Sequence, residues 1–215
     1  MGRTLARYAV MIAGFFVIAV GIVLSVRAGL GPGPWDVFHV GVSGATGIPL
    51  GRTITYVGLV VIALGLLIRV KPTLCTVLNM LLIGQFVDLV AAFLPLDTPA
   101  TLAGRLVMLC GGIVVQGLGE GLYLGTRVGA GPRDGFMLGI VKLTGKRIWV
   151  VQTAIEVTLV MLGYALGSPP GAGTLIFAVS VGYFIEFFLN LLTPVISRLT
   201  AHLVDQQRAP AGADS

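Results

Sequence analysis

Of the 215 residues, 56% are apolar and 11% are charged, whereas soluble domains carry roughly a quarter charged residues. That balance excludes a water-soluble enzyme or binding module. The net charge of +5 comes from basic residues set singly or in pairs at the ends of apolar stretches, which excludes the dense basic stripe of a nucleic-acid surface.

A spanning helix needs about 20 mainly apolar residues. The first candidate is Tyr8 to Val26, behind Arg3 and Arg7; it is longer than a signal-peptide core and is expected to be retained as a span. A glycine-rich connection, Ala28 to Gly47, leads to spans at Thr53 to Ile68 and Leu74 to Leu94. The loop Pro95 to Ala103 leads to Leu106 to Thr126, and a second glycine-rich connection, Val128 to Thr144, precedes Trp149 to Leu166 and Thr174 to Val195. These six spans predict an all-α, polytopic membrane protein with a single membrane domain over residues 1–200 and a polar tail over 201–215. With a cytoplasmic N-terminus, only Arg27, Arg52 and Arg105 of the 14 basic residues fall outside. The positive-inside rule therefore predicts that both termini are cytoplasmic. Cys75 and Cys110 fall in separate spans near opposite faces, too far apart for a disulfide.

The chain repeats itself. A shift of 98 residues sets Gly31-x-Gly33-Pro34-x-Asp36-x-Phe38-x-x-Gly41 on Gly129-x-Gly131-Pro132-x-Asp134-x-Phe136-x-x-Gly139, and Thr46-Gly47 on Thr144-Gly145. The same shift pairs Arg7 with Arg105, Gly14 with Gly112, Gly21 with Gly119, Gly84 with Gly182 and Asp88 with Glu186. Repeat 1 covers about 5–95 and repeat 2 about 103–195. Each holds three spans, so the second must enter the membrane from the opposite side and the repeats are predicted to be inverted, an arrangement that recurs in transporters.

Gly29-Leu30-Gly31 leading to Pro34-Trp35-Asp36, then Thr46-Gly47-Ile48-Pro49 and Thr76-x-x-Asn79, resemble the YczE/YitT family of bacterial inner-membrane proteins over roughly Leu5 to Ser197. The resemblance implies a multi-span bacterial membrane protein and no settled substrate.

In each connection the proline suits the first turn of a helix and the aspartate two residues on complements the helix dipole. A short helix is predicted from Pro34 to about Gly44, with a counterpart beginning at Pro132. Each is long enough to reach the membrane midplane as a re-entrant half-helix; lying flat at the interface is the alternative. The pathway candidates are Gly31, Gly33, Pro34, Asp36, Gly129, Gly131, Pro132 and Asp134. Asp88, Glu120, Glu156 and Glu186 are acids within spans, where charge is costly and usually marks a cavity, a proton site or a cation site. No Lys or Arg lies deep in any span. Asp88 and Glu186, equivalent in the repeat, are expected to face the Gly-Pro tips and to exchange a proton for a cation; Glu120 and Glu156 are secondary candidates. His39 and His202 are unclustered, which predicts no metal or other cofactor. No Ser/His/Asp or Cys/His set suggests catalysis, so the chain reads as no enzyme. The reading is a small transporter or channel for a proton-coupled, cationic or zwitterionic small solute, with the lipid bilayer as its surroundings. The alternative is a membrane-embedded interaction or substrate-capture subunit without a pathway of its own.

Overall fold

The computed structural model describes residues 2–94 and 96–208. They form eight helices in the order α1 (Gly2–Arg27), α2 (Pro34–Thr46), α3 (Leu50–Leu67), α4 (Leu74–Phe93), α5 (Leu102–Gly125), α6 (Pro132–Thr144), α7 (Ile148–Ala165) and α8 (Ala172–Arg208). Among the described residues there is no strand.

The helix ends follow local chemistry. Pro34 and Pro132 open α2 and α6, where a missing N–H costs nothing, and Gly47 and Gly145 close them in the left-handed conformation, at φ 72° and 64°. Thr73 caps α4 by accepting from the Thr76 amide, while the Thr76 hydroxyl accepts from the Thr73 amide. The Thr101 side chain caps α5 through the Gly104 amide.

Among the described residues five helices are long and apolar enough to cross a membrane: α1, α3, α4, α5 and α8. These match five of the six expected spans; the sixth expected span falls on α7, where the described apolar stretch is the shorter Val150–Ala165. Helix α2 runs past the expected Gly44 to Thr46. Helix α8 continues to Arg208, into the segment read as a polar tail; the rest of that tail, 209–215, lies outside the described residues, as does Pro95 of the loop before α5.

At the centre α1 crosses α5, with α4 against α1 and α8 against α5. Small residues allow the crossing: a methyl group at Gly14 would lie 2.8 Å from the Gly119 carbonyl oxygen, and one at Gly21 would lie 2.8 Å from that of Gly112. Backbones this close gain dispersion contacts that bulkier side chains would forbid. Met11, Phe15, Ile18, Ile22, Val87 and Tyr123 fill the core around α1. Helix α2 packs on α7, and α6 on α3.

Contacts between the halves come in pairs. Gly14 meets Gly119 and Gly21 meets Gly112; Gly33 meets Phe177 and Gly131 meets Asn79; Gly41 meets Leu166 and Gly139 meets Ile68. Each pair interchanges when 98 is added to one residue number and subtracted from the other.

Two interfaces break this pattern: α1 packs on α8 whereas α5 stands off α4, and α3 packs along α4 whereas α7 stands off α8; the second bears on the site. In the closed pair the Gly51 amide donates to Asp88 Oδ1 at 2.8 Å, Thr55 Oγ1 donates to the Met80 carbonyl at 3.3 Å, and Gly84 abuts Gly51. In the open pair Gly182, the counterpart of Gly84, faces open space. The sequence supplies the reason, because the 98-residue shift sets Trp149 on Gly51 and Glu156 on Gly58. No side chain fits where Gly51 touches Gly84.

Candidate solute site

The N-terminal turns of α2 and α6 meet across one cavity of about 230 Å³, lined by Gly33, Pro34, Trp35 and Asp36 from the first and Arg133 and Asp134 from the second. Helix α5 contributes Gln116 and Glu120, α7 contributes Gln152 and Glu156, and Phe177, Val181 and Ile185 of α8 form the apolar wall. The cavity therefore occupies the gap that the separation of α7 from α8 leaves.

The order of assembly is readable from the residues. Proline at the first helical position and glycine before it leave both N-termini without a side-chain cap. Free amides and the positive end of the dipole thus point at the cavity from two helices. Tyr123 fixes the α6 tip: its hydroxyl accepts from the Gly131 amide at 2.5 Å and donates to Asp134 Oδ2 at 3.3 Å. At the other tip Asp36 is buried, with His39 Nδ1 at 3.4 Å from its Oδ1.

Arg133 stands where the two tips meet. Its Nη2 lies 3.1 Å from Glu120 Oε1, and its guanidinium sits 5.5 Å from the centre of the Trp35 ring. An arginine is suited to this place, since its planar head pairs with a carboxylate and stacks on an aromatic face together. This corrects the expectation of span acids without a basic partner. Arg133 had counted as a loop charge, and the signal that could have found it is the repeat itself, which sets Arg133 on Trp35 within a matched Gly-Pro tip. Tyr123 carries no such signal in the sequence, its counterpart being Ser25.

The expected site residues separate into two groups. Gly33, Pro34, Asp36, Asp134, Glu120 and Glu156 line the cavity. Gly131 and Pro132 form the α6 tip, and Pro132 lines a second, smaller cavity of about 50 Å³. Gly31 and Gly129 do not line the first cavity, Gly31 lying against Gly171 and Thr174 and Gly129 against Thr73 and Cys75. Thr76 Oγ1 donates to the Ala130 carbonyl at 2.9 Å and so tethers the second tip to α4.

Asp88 and Glu186 are a correction. Neither lines the cavity: Asp88 caps the start of α3 through Gly51, and Glu186 is exposed on the face of α8 that has no α7 against it. Their equivalence in the repeat does not carry an equivalent environment, because the helix that covers the first is displaced from the second. Cys75 is buried, Cys110 is exposed, and both are free. Among the described residues no group of His, Cys, Asp or Glu has the arrangement of a metal site.

A family model described as a family of unknown function, DUF6198, matches residues 5–190. The chain is 32% identical over 201 residues to the uncharacterized membrane protein YczE of Bacillus subtilis, covering 91% of this chain and 93% of that one. It is 32% identical over 183 residues to an uncharacterized protein of Haemophilus influenzae, covering 85% and 83%, and 27% identical over 198 residues to the uncharacterized protein YyaS of Bacillus subtilis, covering 91% and 94%. No solved structure matches.

Proposed function

The chain belongs to the DUF6198 family and is related to the membrane protein YczE, and we propose that it is a small transporter or channel for a cationic or zwitterionic small solute, coupled to protons. The observation that carries this reading is the convergence of two half-helix N-termini on a polar cavity inside an otherwise apolar helical membrane protein. Irregular glycine backbone at membrane depth is stable only when buried in protein or lining a wet cavity. Helices broken at the site are the recurring means by which transporters present backbone charge to a solute.

On this reading the six spans form two inverted repeats, with α2 and α6 re-entering from opposite faces of the bacterial inner membrane and both termini in the cytoplasm. The exchange of contacts on a shift of 98 residues supports it, since a two-fold axis in the membrane plane produces that pairing. Arg133 then leaves the positive-inside tally, and the balance of the remaining charges still favours a cytoplasmic N-terminus. The cavity's acids, amides and arginine include no nucleophile paired with a base, which favours solute handling over catalysis.

Flux tests the function: the purified protein alone in liposomes is expected to carry a small organic cation or zwitterion with a proton dependence. Absence of flux for protons, cations, amines and amino acids would remove the transport reading. Topology is checked by Thr98→Cys, expected to react with an impermeant reagent from outside, and Lys146→Cys, expected to react only from inside.

A substrate-capture subunit without its own pathway is the second reading. It draws support from the one-sidedness of the polar lining, since the counterpart cavity carries Ile18, Ile22, Ile54 and Gly58 where the first carries Gln116, Glu120, Gln152 and Glu156. Capture predicts solute binding with no flux unless a second protein is added.

A further inference from the structure

The cavity has an unmet demand for a hydrogen-bond donor. Gln116 is 2% exposed, lines the cavity, and its Oε1 has no partner. A buried amide oxygen left without a donor costs on the order of 1–3 kcal/mol. Such a group in a native structure needs an explanation, and a ligand is one.

The charges point the same way. Four carboxyl groups line the cavity, those of Asp36, Glu120, Asp134 and Glu156, against one guanidinium, which is taken by Glu120. Asp134 is met by the Tyr123 hydroxyl, Asp36 by His39, and Glu156 only by a side-chain amide of its own helix, Gln152 Nε2 at 3.0 Å. In a low-dielectric site an excess of carboxyl groups favours the entry of positive charge. The donors do not have the arrangement of a metal site, and the wall of Phe177, Val181 and Ile185 suits a carbon body. A volume of about 230 Å³ lies below the roughly 300–1,000 Å³ of drug-sized pockets, which restricts that body to a small one.

We infer that the cavity binds a primary ammonium group carried on a small apolar body, with Gln116 Oε1 and the Glu156 carboxyl accepting its N–H donors. This rests on the solute-site reading above and names its chemistry. The ligand is a soluble amine or the amine head of a lipid. Both present the same group, and the gap between α7 and α8 leads to the cavity.

The test uses the full chain in detergent and in nanodiscs. Phenethylamine, its trimethylammonium analogue and phenylethanol share one body and differ in the head. Calorimetric titration is expected to give binding of the amine at least tenfold tighter than of the other two. Glu156→Gln is expected to weaken amine binding about tenfold or more and to leave the alcohol unchanged, and Gln116→Met is expected to reduce the preference for the amine over the trimethylated head. Equal binding of the amine and trimethylammonium compounds, or amine affinity unchanged in Glu156→Gln, would overturn the assignment even if Gln116→Met fails to fold. Phosphatidylethanolamine nanodiscs that compete with the amine, where phosphatidylcholine nanodiscs do not, identify a lipid head as the source; no competition identifies a soluble amine. Amine binding without flux would sink the transport reading and keep this site, and flux of another solute without amine binding would do the reverse.

Discussion

Two of the cavities at the half-helix tips have linings that are nearly one set of positions displaced by 98 residues. Gln116, Glu120, Gln152 and Glu156 around the larger correspond to Ile18, Ile22, Ile54 and Gly58 around the smaller, and Phe177 to Asn79. The first encloses about 230 Å³ beside a separated α7 and α8; the second encloses about 50 Å³ beside a closed α3 and α4. The duplication thus supplies the same frame twice, two half-helices and their supporting spans, while the polar chemistry is concentrated in one copy. Where the lining is apolar the helices close on glycine. Where it is polar, Trp149 and Glu156 stand in the sequence in place of Gly51 and Gly58, Gly182 is kept without a partner, and the helices stand apart.

The sharpest way to break this comparison is to place the same side chain at Gly84 and at its counterpart Gly182. A Cβ at Gly84 would overlap the Gly51 backbone and the Thr55 hydroxyl, while at Gly182 it meets nothing within 4 Å. Overpacking costs typically 1–3 kcal/mol and more where backbone must move, so Gly84→Leu is expected to abolish folded protein. Gly182→Leu is expected to be silent in detergent melting. Equal losses would mean that α7 closes on α8 in solution as α3 does on α4.

Next in size is the pair at the junction of the tips. Arg133→Met leaves the Glu120 carboxyl, only 12% exposed, without its cation. Removing one partner of a desolvated pair costs more than removing both. Arg133→Met is therefore expected to lower the melting temperature, and adding Glu120→Gln is expected to recover most of the loss. The equivalent change in the first repeat, Trp35→Met, has no such partner to rescue it. A double variant no better than Arg133→Met would show that the pair contributes through packing alone.

The acids that the repeat makes equivalent should part company. Asp88→Leu leaves the Gly51 amide without its acceptor and is expected to cost about 1–3 kcal/mol, whereas Glu186→Leu, on an exposed face, is expected to leave melting unchanged. Amine binding is expected to survive in Glu186→Leu. A specific loss of solute binding there, with melting intact, would return Glu186 to the site.

Much of this frame was legible in the chain. The 98-residue shift located both Gly-Pro tips, proline at the first helical position set the starts of α2 and α6, and the expected end of α2 at about Gly44 falls two residues short of Thr46. What was not legible follows from packing. Arg133 sits in a polar connection that reads linearly as a cytoplasmic loop, and only the meeting of the tips turns it into the partner of Glu120. Asp88 and Glu186 are aligned correctly by the repeat yet differ in surroundings, because the contact of Gly51 with Gly84 is a property of two helices and not of either acid. The divergence of Gly58 to Glu156 and Ile22 to Glu120 is written in the sequence. Read down the repeat rather than along the chain, those substitutions mark the polar side.

The smallest expected effect lies at the tips' supports, Tyr123 and its counterpart Ser25. Tyr123 accepts from the Gly131 amide and donates to Asp134, so its hydroxyl satisfies a donor at the backbone turn that places Arg133. Ser25 is buried, and its Oγ has no partner. Tyr123→Phe keeps the ring that packs against Phe15, with centroids 5.2 Å apart, and removes only the hydroxyl. It is expected to cost about 1–2 kcal/mol, the range for stranding a buried donor. Because the Asp134 carboxyl loses its donor in the same step, amine affinity is expected to change as well. Ser25→Ala removes an orphan hydroxyl and is expected to be neutral or to stabilise by a few tenths of a kcal/mol, with solute binding untouched. The comparison is read by detergent melting and by phenethylamine titration on both variants. Equal and small effects on both measurements would mean that the α6 tip holds its place without the tyrosine clamp, and that the two repeats differ in their lining alone.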